Sequence, residues 1–326
     1  MPQTLPIAAW NSRADLAALT AALGAENIRW VGGAVRDTLL GVEVHDVDCA
    51  TLHTPDRVID LCREAGIRTV PTGIDHGTVT AIFPGEPKPW PVEITTLRRD
   101  VATDGRRATI AFASGWQDDA ARRDFTINAL YAHPETLEIS DYFGGLADLD
   151  ARRVRFIGEA EERIAEDHLR ILRYYRFQAR FGAELDPVAE EACAAMAETL
   201  KGLSRERIAD ELRKLLGLPN PHETVARMHA RGVLGVILPE TCTRHIDQLA
   251  KVIAAEAAQG LERSSLRRLA ALLPPSPDIA ETCAARLRLS KAQRARLVRA
   301  AERQAADTGN TQALAYLLGV ELAQDR

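Results

Sequence analysis

The sequence predicts an α+β protein, with a mixed sheet and its helices over residues 1 to about 140 and helices alone from there to residue 326. Three observations predict it. Short β-type runs, Ile28 to Val31, Thr78 to Phe83 and Val92 to Leu97, alternate with helix-like stretches in the first part. Beyond residue 150 such runs disappear and apolar residues recur at helical spacing. Within the first part the chain is arranged around one string, Val31-Gly32-Gly33-Ala34-Val35-Arg36-Asp37-Thr38-Leu39-Leu40-Gly41, which ends in His45-Asp46-Val47-Asp48.

Composition narrows the class. At 326 residues, 46% hydrophobic and 27% charged, the chain has the make-up of an ordinary globular protein with room for two or three domains. No apolar run reaches the roughly 20 residues that a membrane span needs. No basic segment followed by an apolar one opens the chain, so no signal peptide is expected and the expected location is the cytoplasm. Cys49, Cys62, Cys193, Cys242 and Cys283 are scattered without metal-ligand spacing and read as reduced thiols. A net charge of −5 argues against a generally basic nucleic-acid binder but leaves room for a local basic face.

The first elements lead into the glycine pair. Residues 11–24 read as a helix with Asn11 at its start and Gly24 at its end. Ile28 to Val31 is a strand that delivers Gly32 and Gly33 to a turn, and a short helix carrying Arg36 and Asp37 closes at Gly41. Gly32 and Gly33 allow the backbone to approach an anion at the helix N-terminus; alone, such a pair is only a turn. Arg36 is either a surface ion pair with Asp37 or Glu43 or a phosphate contact.

Asp46 and Asp48 alternate with Val47, so in an extended strand both carboxylates leave one face and Val47 enters the core. Two carboxylates about 4 Å apart repel by roughly 4 kcal/mol at an effective dielectric near 20. A shared proton or a cation would offset that repulsion, and oxygen donors with room for water and phosphate suit Mg²⁺. Alone, the pattern is equally a solvated strand edge. Phosphate beside a paired-carboxylate metal site suggests phosphoryl or nucleotidyl transfer.

Thr54-Pro55-Asp56 opens the next helix. In the strand Val92 to Leu97, Glu93 is the single charge, placing it at an exposed edge or as a third carboxylate of the acidic group. Leu97 to Asp119, with Arg98, Arg99, Asp100, Asp104, Arg106 and Arg107, reads as a polar, irregular loop. In Arg122-Arg123-Asp124-Phe125-Thr126-Ile127-Asn128-Ala129-Leu130, Asp124 and Asn128 share a face if the segment is helical, one able to hold a ribose hydroxyl and a triphosphate. Asp141 and Gly144-Gly145-Leu146-Ala147-Asp148-Leu149 form a turn. Glu166 to Phe177 is helical, with Asp167 and Arg170 at i and i+3, suited either to an intrahelical salt bridge or to reading a nucleobase edge beside Arg173 and Arg176. Ser204 caps a helix running through Leu212. The last helices carry Arg263, Arg267, Arg268, Arg286, Arg288, Lys291, Arg294, Arg296, Arg299 and Arg303, which makes the tail basic.

These strings, five in order over roughly residues 28–240, resemble the class II tRNA CCA-adding nucleotidyltransferase and bacterial poly(A) polymerase family. The string from Arg122 to Leu130 is the most specific of the five, and no His-Asp phosphohydrolase signature accompanies them. The resemblance implies a polymerase-β-like nucleotidyltransferase head over 1–140, a helical neck that recognises the nucleotide base over 141–215, and a helical body binding tRNA over 216–326. It implies template-independent addition of CMP and AMP to a tRNA 3′ end with release of pyrophosphate, two Mg²⁺ ions, tRNA, CTP and ATP as partners, and no membrane or protein partner. Asp46 and Asp48 become the metal ligands, with Glu93 as a third catalytic carboxylate. Gly32, Gly33, Arg36, Arg123, Asp124, Asn128, Asp167, Arg170, Arg173 and Arg176 become nucleotide contacts, with Asp167 and Arg170 selecting the base. The loop before residue 119 matches the one that full CCA-adding relatives retain, and the turn at 141–149 matches a hinge. A poly(A) polymerase or A-adding enzyme, and a non-catalytic RNA-binding protein on the same scaffold, are the alternatives.

Overall fold

A computed structural model describes residues 3–85, 89–103, 108–112, 115–182, 185–304, 307 and 311–326. The side chains of residues 99–103 and 108–112 lie outside that description, as do Asp104, Arg106 and Arg107 altogether. The chain divides into two compact units, Met1–Glu166 and Asp167–Arg326.

The first unit is built on a sheet. Its strands are β1 (Ile28–Val31), β2 (Val47–Thr51), β3 (Arg68–Gly73), β4 (Thr78–Phe83), β5 (Trp90–Thr96), β8 (Leu130–Ala132) and β9 (Ile139–Asp141), with β6 (Arg98–Thr103) and β7 (Ala108–Phe112) between them in sequence. The seven-stranded sheet has the order β3-β4-β5-β2-β1-β8-β9. Only β2 and β5 pair in parallel among these neighbours. That pair sets the site, because it puts Asp48 directly opposite Glu93, and residues opposite each other in a parallel pair face the same way. Val47, Cys49, Val92 and Ile94 are buried on the other side.

Helices α1 (Ala14–Leu23), α2 (Gly33–Leu39), α3 (Pro55–Glu64), α4 (Trp116–Ala121), α5 (Gly145–Asp150) and α6 (Ala160–Glu166) complete this unit. The first begins three residues later than expected, because the Asn11 side chain accepts from the Ala8 N–H at 2.8 Å and donates to the Pro6 carbonyl at 3.0 Å. Strand β9 straddles residue 140 and α5 follows it, and both still belong to this unit, β9 by pairing with β8. Part of the segment expected as irregular loop is an antiparallel ribbon of β6 and β7, a two-stranded sheet of its own. A core of Val31, Ala50, Leu97, Ala120, Ala129, Tyr131 and Ile157 lies beneath the glycine turn, joined by the partly buried Trp116, Tyr142 and Phe143.

The described residues of the second unit are helical. Its helices are α7 (Arg170–Phe181), α8 (Pro187–Ala195), α9 (Arg205–Leu216), α10 (His222–Ala230), α11 (Val233–Ile237), α12 (Thr243–Ala258), α13 (Ser265–Ala271), α14 (Pro277–Arg286), α15 (Lys291–Ala301), α16 (Thr311–Leu318) and α17 (Val320–Asp325). Their apolar faces make the core, with Ile171, Leu172, Tyr174, Leu212, Leu216, Leu249 and Leu269 all buried. Ser204, Ser264 and Ser290 each accept a backbone N–H at a helix start. Among the described residues no helix is long and apolar enough to cross a membrane.

Candidate active site

The glycine turn does what a side chain would forbid. Gly32 holds φ at +66°, a left-handed conformation that glycine adopts without strain. A Cβ built there would lie 3.4 Å from Arg123 Nη1, 3.9 Å from the Asn128 carbonyl and 4.0 Å from Asp48 Oδ2. One backbone position thus lies beside the arginine and the asparagine of one string and the aspartate of another. Gly33 is close to the Arg36 guanidinium, 3.7 Å from its would-be Cβ to Nη2. Helix α2 begins there and is only seven residues long.

Asp48 is mostly buried at the start of β2, whereas Asp46, just before the strand, and Glu93 on β5 are exposed. Burial first, then the charges of Glu93 and Asp46, push the Asp48 carboxyl up to about 6. Arg123 and Arg36 pull the other way without cancelling the effect. The result is a locus with an excess of negative charge and hard oxygen donors, which fits a divalent cation. Among the described residues no group of three or more His, Cys, Asp or Glu side chains is gathered closely enough to hold a metal ion. Asp46 and Asp48 are the side chains that could hold a cation here, with other oxygens completing its shell.

Arg36 makes the expected pair with Asp37, but inside the protein and not at its surface. It is 4% exposed, so its pair with Asp37, Nε to Oδ1 at 2.8 Å, is a buried contact and not a surface one. It also donates to Asn128 Oδ1. Asn128 Nδ2 in turn donates to Asp124 Oδ1 at 3.0 Å, and the Phe125 N–H donates to the same oxygen at 2.9 Å. Asp37, Arg36, Asn128 and Asp124 are consequently one buried chain of hydrogen bonds. Asp124 and Asn128 meet although the segment is not an α-helix. Phe125 is extended, bridged to Phe156, and only Thr126–Asn128 turn as a 3₁₀ helix.

Arg123 is held on several sides. Its Nε donates to the Tyr131 hydroxyl at 2.8 Å, its Nη2 lies 3.3 Å from Asp119 Oδ2, and its Nη1 reaches the Asn128 carbonyl at 3.4 Å. Asp119 is 1% exposed and also accepts from the Tyr131 hydroxyl at 2.7 Å, Arg122 Nε at 2.8 Å and the Arg98 N–H at 3.1 Å. Burial alone would raise its pKa, yet the two guanidinium charges and these donors hold it down to about 2. Reading the sequence passed over Asp119 and Tyr131. The available signal was an acidic residue four positions before Arg123 on a short helix, which is also how a surface ion pair looks.

The segment expected as a hinge packs back on the site. The Asp141 carboxylate accepts from the N–H groups of Gly145 at 2.9 Å and Leu146 at 2.9 Å, opening α5. Asp148 accepts from the Thr126 hydroxyl at 2.6 Å and from Arg155 Nε at 2.9 Å. A Cβ on Gly145 would stand 2.3 Å from the Thr126 carbonyl oxygen, so only glycine lets α5 lie this close.

The remaining expected contacts belong to the second unit. Asp167 precedes α7; its carboxylate accepts from the Leu169 N–H at 3.1 Å and from Arg207 Nη2 at 2.7 Å, so its partner is Arg207 on α9. The Arg170 N–H donates to the Asp167 carbonyl at 3.0 Å. Arg176 Nε lies 2.6 Å from Glu211, itself 4% exposed, and Arg173 stands 3.9 Å from the same carboxylate. Both arginines also lie over the Phe177 ring. Glu211 and Arg207 had no expected part here.

Much of the basic tail is paired with acidic side chains, and two of its arginines are buried. Arg268, 1% exposed, pairs with Glu256 at 2.7 Å and donates to the Leu216 carbonyl at 2.7 Å. Arg267 joins Glu256 to Asp325, Arg286 clamps Glu240 with two bonds, and Arg288, Arg294 and Arg296 pair with Glu206, Glu281 and Asp325. Arg263, Lys291 and Arg299 are exposed.

Comparison with known proteins places these features in a family. Residues 28–155 match the family described as the poly A polymerase head domain, and residues 182–244 match the probable RNA and SrmB-binding site of polymerase A. The mouse mitochondrial CCA tRNA nucleotidyltransferase 1 is 39% identical over 286 residues, 86% of this chain and 64% of that protein. A Streptococcus pyogenes CCA-adding enzyme is 41% identical over 203 residues, 62% of this chain and 48% of that protein. The chain thus spans about half to two thirds of the length of the curated relatives it matches. The crystal structure of the Bacillus stearothermophilus CCA-adding enzyme in complex with CTP superimposes with a TM-score of 0.71 at 26% identity, covering 95% of this chain and 75% of that one.

Proposed function

Since the chain belongs to the class II tRNA CCA-adding nucleotidyltransferase and bacterial poly(A) polymerase family, we propose that it adds CMP and then AMP to a tRNA 3′ end. The observation that carries this reading is the meeting of Gly32, Arg123 and Asp48 at one turn. A triphosphate laid on that turn would have a side-chain-free backbone beneath it, a guanidinium on one side and the acidic pocket on the other.

The reaction needs little covalent help from the protein. The 3′-hydroxyl oxygen of the RNA bonds to the α-phosphorus of CTP or ATP while the bond to the bridging oxygen breaks. Pyrophosphate leaves and the hydroxyl proton passes to solvent. Asp46 and Asp48 would hold Mg²⁺, two ions in this reading, which when bound neutralise phosphate charge and lower the pKa of the attacking hydroxyl. Glu93, opposite Asp48, adds to the negative field that favours cations there. Arg123 and Arg36 orient phosphate oxygens, and Asp124 and Asn128 hold the ribose end of the nucleotide. Asp167 and Arg170 select the base, with Arg173 and Arg176 beside them along α7. The match over residues 182–244 supports RNA contact by the helical neck and body. Four of the five cysteines are buried free thiols and the fifth is an exposed one, which supports a reducing compartment, the cytoplasm in this reading.

The test is direct. Purified protein, Mg²⁺ and each labelled nucleotide are incubated with tRNA lacking its last three nucleotides, tRNA ending in two cytidines, and an unrelated RNA. Two CMP and one AMP on the first tRNA, and one AMP on the second, are expected. AMP on the second tRNA alone would make it an A-adding enzyme, and long A tails on every RNA a poly(A) polymerase. No incorporation at all would leave an RNA-binding protein.

A further inference from the structure

Within the acidic pocket, one charge of the opposite sign has to stay in place. The Arg123 guanidinium borders Asp48 and the Gly32 turn, and its side chain is 20% exposed. A long side chain left to itself would swing to pair with Asp46, Asp48 or Glu93 and occupy the space a nucleotide needs. What prevents this is a built cradle. Asp119 and Tyr131 grip Arg123 from behind, at Nη2 and Nε, and the Tyr131 hydroxyl donates its own proton to Asp119. Asp119 is fixed in turn by Arg122 and by the Arg98 N–H where β6 begins.

We infer that Asp119, together with Tyr131, is a positioning residue that clamps Arg123 so that its edge beside Gly32 faces the nucleotide phosphates instead of the carboxylates. Neither residue touches the substrate. Their effect reaches the reaction through Arg123 alone, which separates this role from general support of the fold. The inference rests on the proposed nucleotidyl transfer only for its kinetic consequence; the clamp itself is a matter of where the guanidinium lies.

Asp119→Asn keeps the size of the side chain but loses its charge and one acceptor, and Tyr131→Phe removes one hydroxyl, so one of the two should fold if the other does not. Each should lower turnover with saturating CTP and tRNA by about tenfold to a hundredfold, as expected for a displaced catalytic contact, at a temperature well below its melting point. The same substitutions in an Arg123→Ala background should cost almost nothing further, because the group they position is gone. A crystal structure of either variant should show the Arg123 guanidinium moved from Asp119 toward Asp46 or Glu93. If the loss of turnover is as large without Arg123 as with it, or if only the melting temperature falls, the residues merely support the fold. If the wild type transfers no nucleotide, the function proposed above fails while the crystal structures still decide the clamp: an unmoved Arg123 overturns it.

Discussion

Asp48 is the residue at which charge and burial conflict most sharply. Its folded pKa of about 6 lies above the ordinary value of 3.8, so between those limits the folded state binds more protons than the unfolded one. Stability of the metal-free protein should therefore fall as pH rises from about 4 to 6 and then level off. Asp48→Asn removes that cost. In EDTA at pH 7.5 it should stabilise the protein by about 2 kcal/mol, with the gain vanishing near pH 4, as urea titrations at several pH values will read. Added Mg²⁺ should raise the melting temperature of the wild type and not of Asp48→Asn, since a ligand stabilises only the state that binds it. The same substitution should abolish nucleotide addition. If Asp48→Asn instead destabilises the protein in EDTA, the aspartate is already satisfied without a cation.

How much of this was legible depended on the reach of each signal. The alternation of Asp46, Val47 and Asp48 is local, and reading it needs only strand geometry. Glu93 could be marked as an odd charge in an apolar strand, yet its place opposite Asp48 depends on which strands pair and in what direction. Asp119 left no trace that distinguishes it from a solvated helix residue, because its partners come from Tyr131, Arg122 and Arg98 in three dimensions. Arg36 was read as either a salt bridge or a ligand contact, and burial makes the pair with Asp37 part of the site's own scaffold.

Among elements, α5 and α9 are where neighbouring strings brace one another. Gly145 on α5 has no room for a methyl group against the Thr126 backbone. Gly145→Ala should cost about 3 kcal/mol in chemical denaturation, since backbone and not a flexible side chain must move. It should also slow nucleotide addition, because the displaced turn carries Asn128. Glu211 on α9 faces Arg176 from a nearly dry position. Glu211→Ala should destabilise the second unit by about 3 kcal/mol, through the arginine it leaves without its buried partner. A change within about 0.5 kcal/mol would show that Arg176 finds solvent. Neither pairing was foreseeable from helical periodicity. That periodicity locates faces but does not say which faces meet, whereas the existence of α7 and of α9 with its serine cap was plain from spacing and composition. The ribbon of β6 and β7 was missed for a similar reason, as neither segment says on its own which other segment it will pair with.

At the scale of the whole molecule, the helical character of the C-terminal part was legible in its spacing, while the partners of its charges were not. The basic residues after position 260 suggested a surface for nucleic acid, and several of them also cross-link helices. Arg268→Ala should cost about 3–5 kcal/mol by leaving Glu256 without a principal partner, whereas Arg263→Ala should stay within about 0.5 kcal/mol of the wild type. Replacing the exposed Arg263, Lys291 and Arg299 together would test the tail as a tRNA surface. Each phosphate contact removed should flatten the salt dependence of binding by about one unit of slope.

The parallel pairing of β2 with β5 also has a consequence in time. A hairpin brings neighbours together early, but these two strands are separated by α3, β3 and β4, and nothing local draws Asp48 toward Glu93. Such distant pairings form late, after the intervening chain has found its own structure. A refolding molecule should therefore acquire most of its helix before it can hold a cation or a triphosphate. In stopped-flow refolding, recovery of nucleotide binding should track the slowest phase seen by circular dichroism or follow it. The chemistry would then be withheld from every partly made chain, and the protein would become competent only when its sheet is closed.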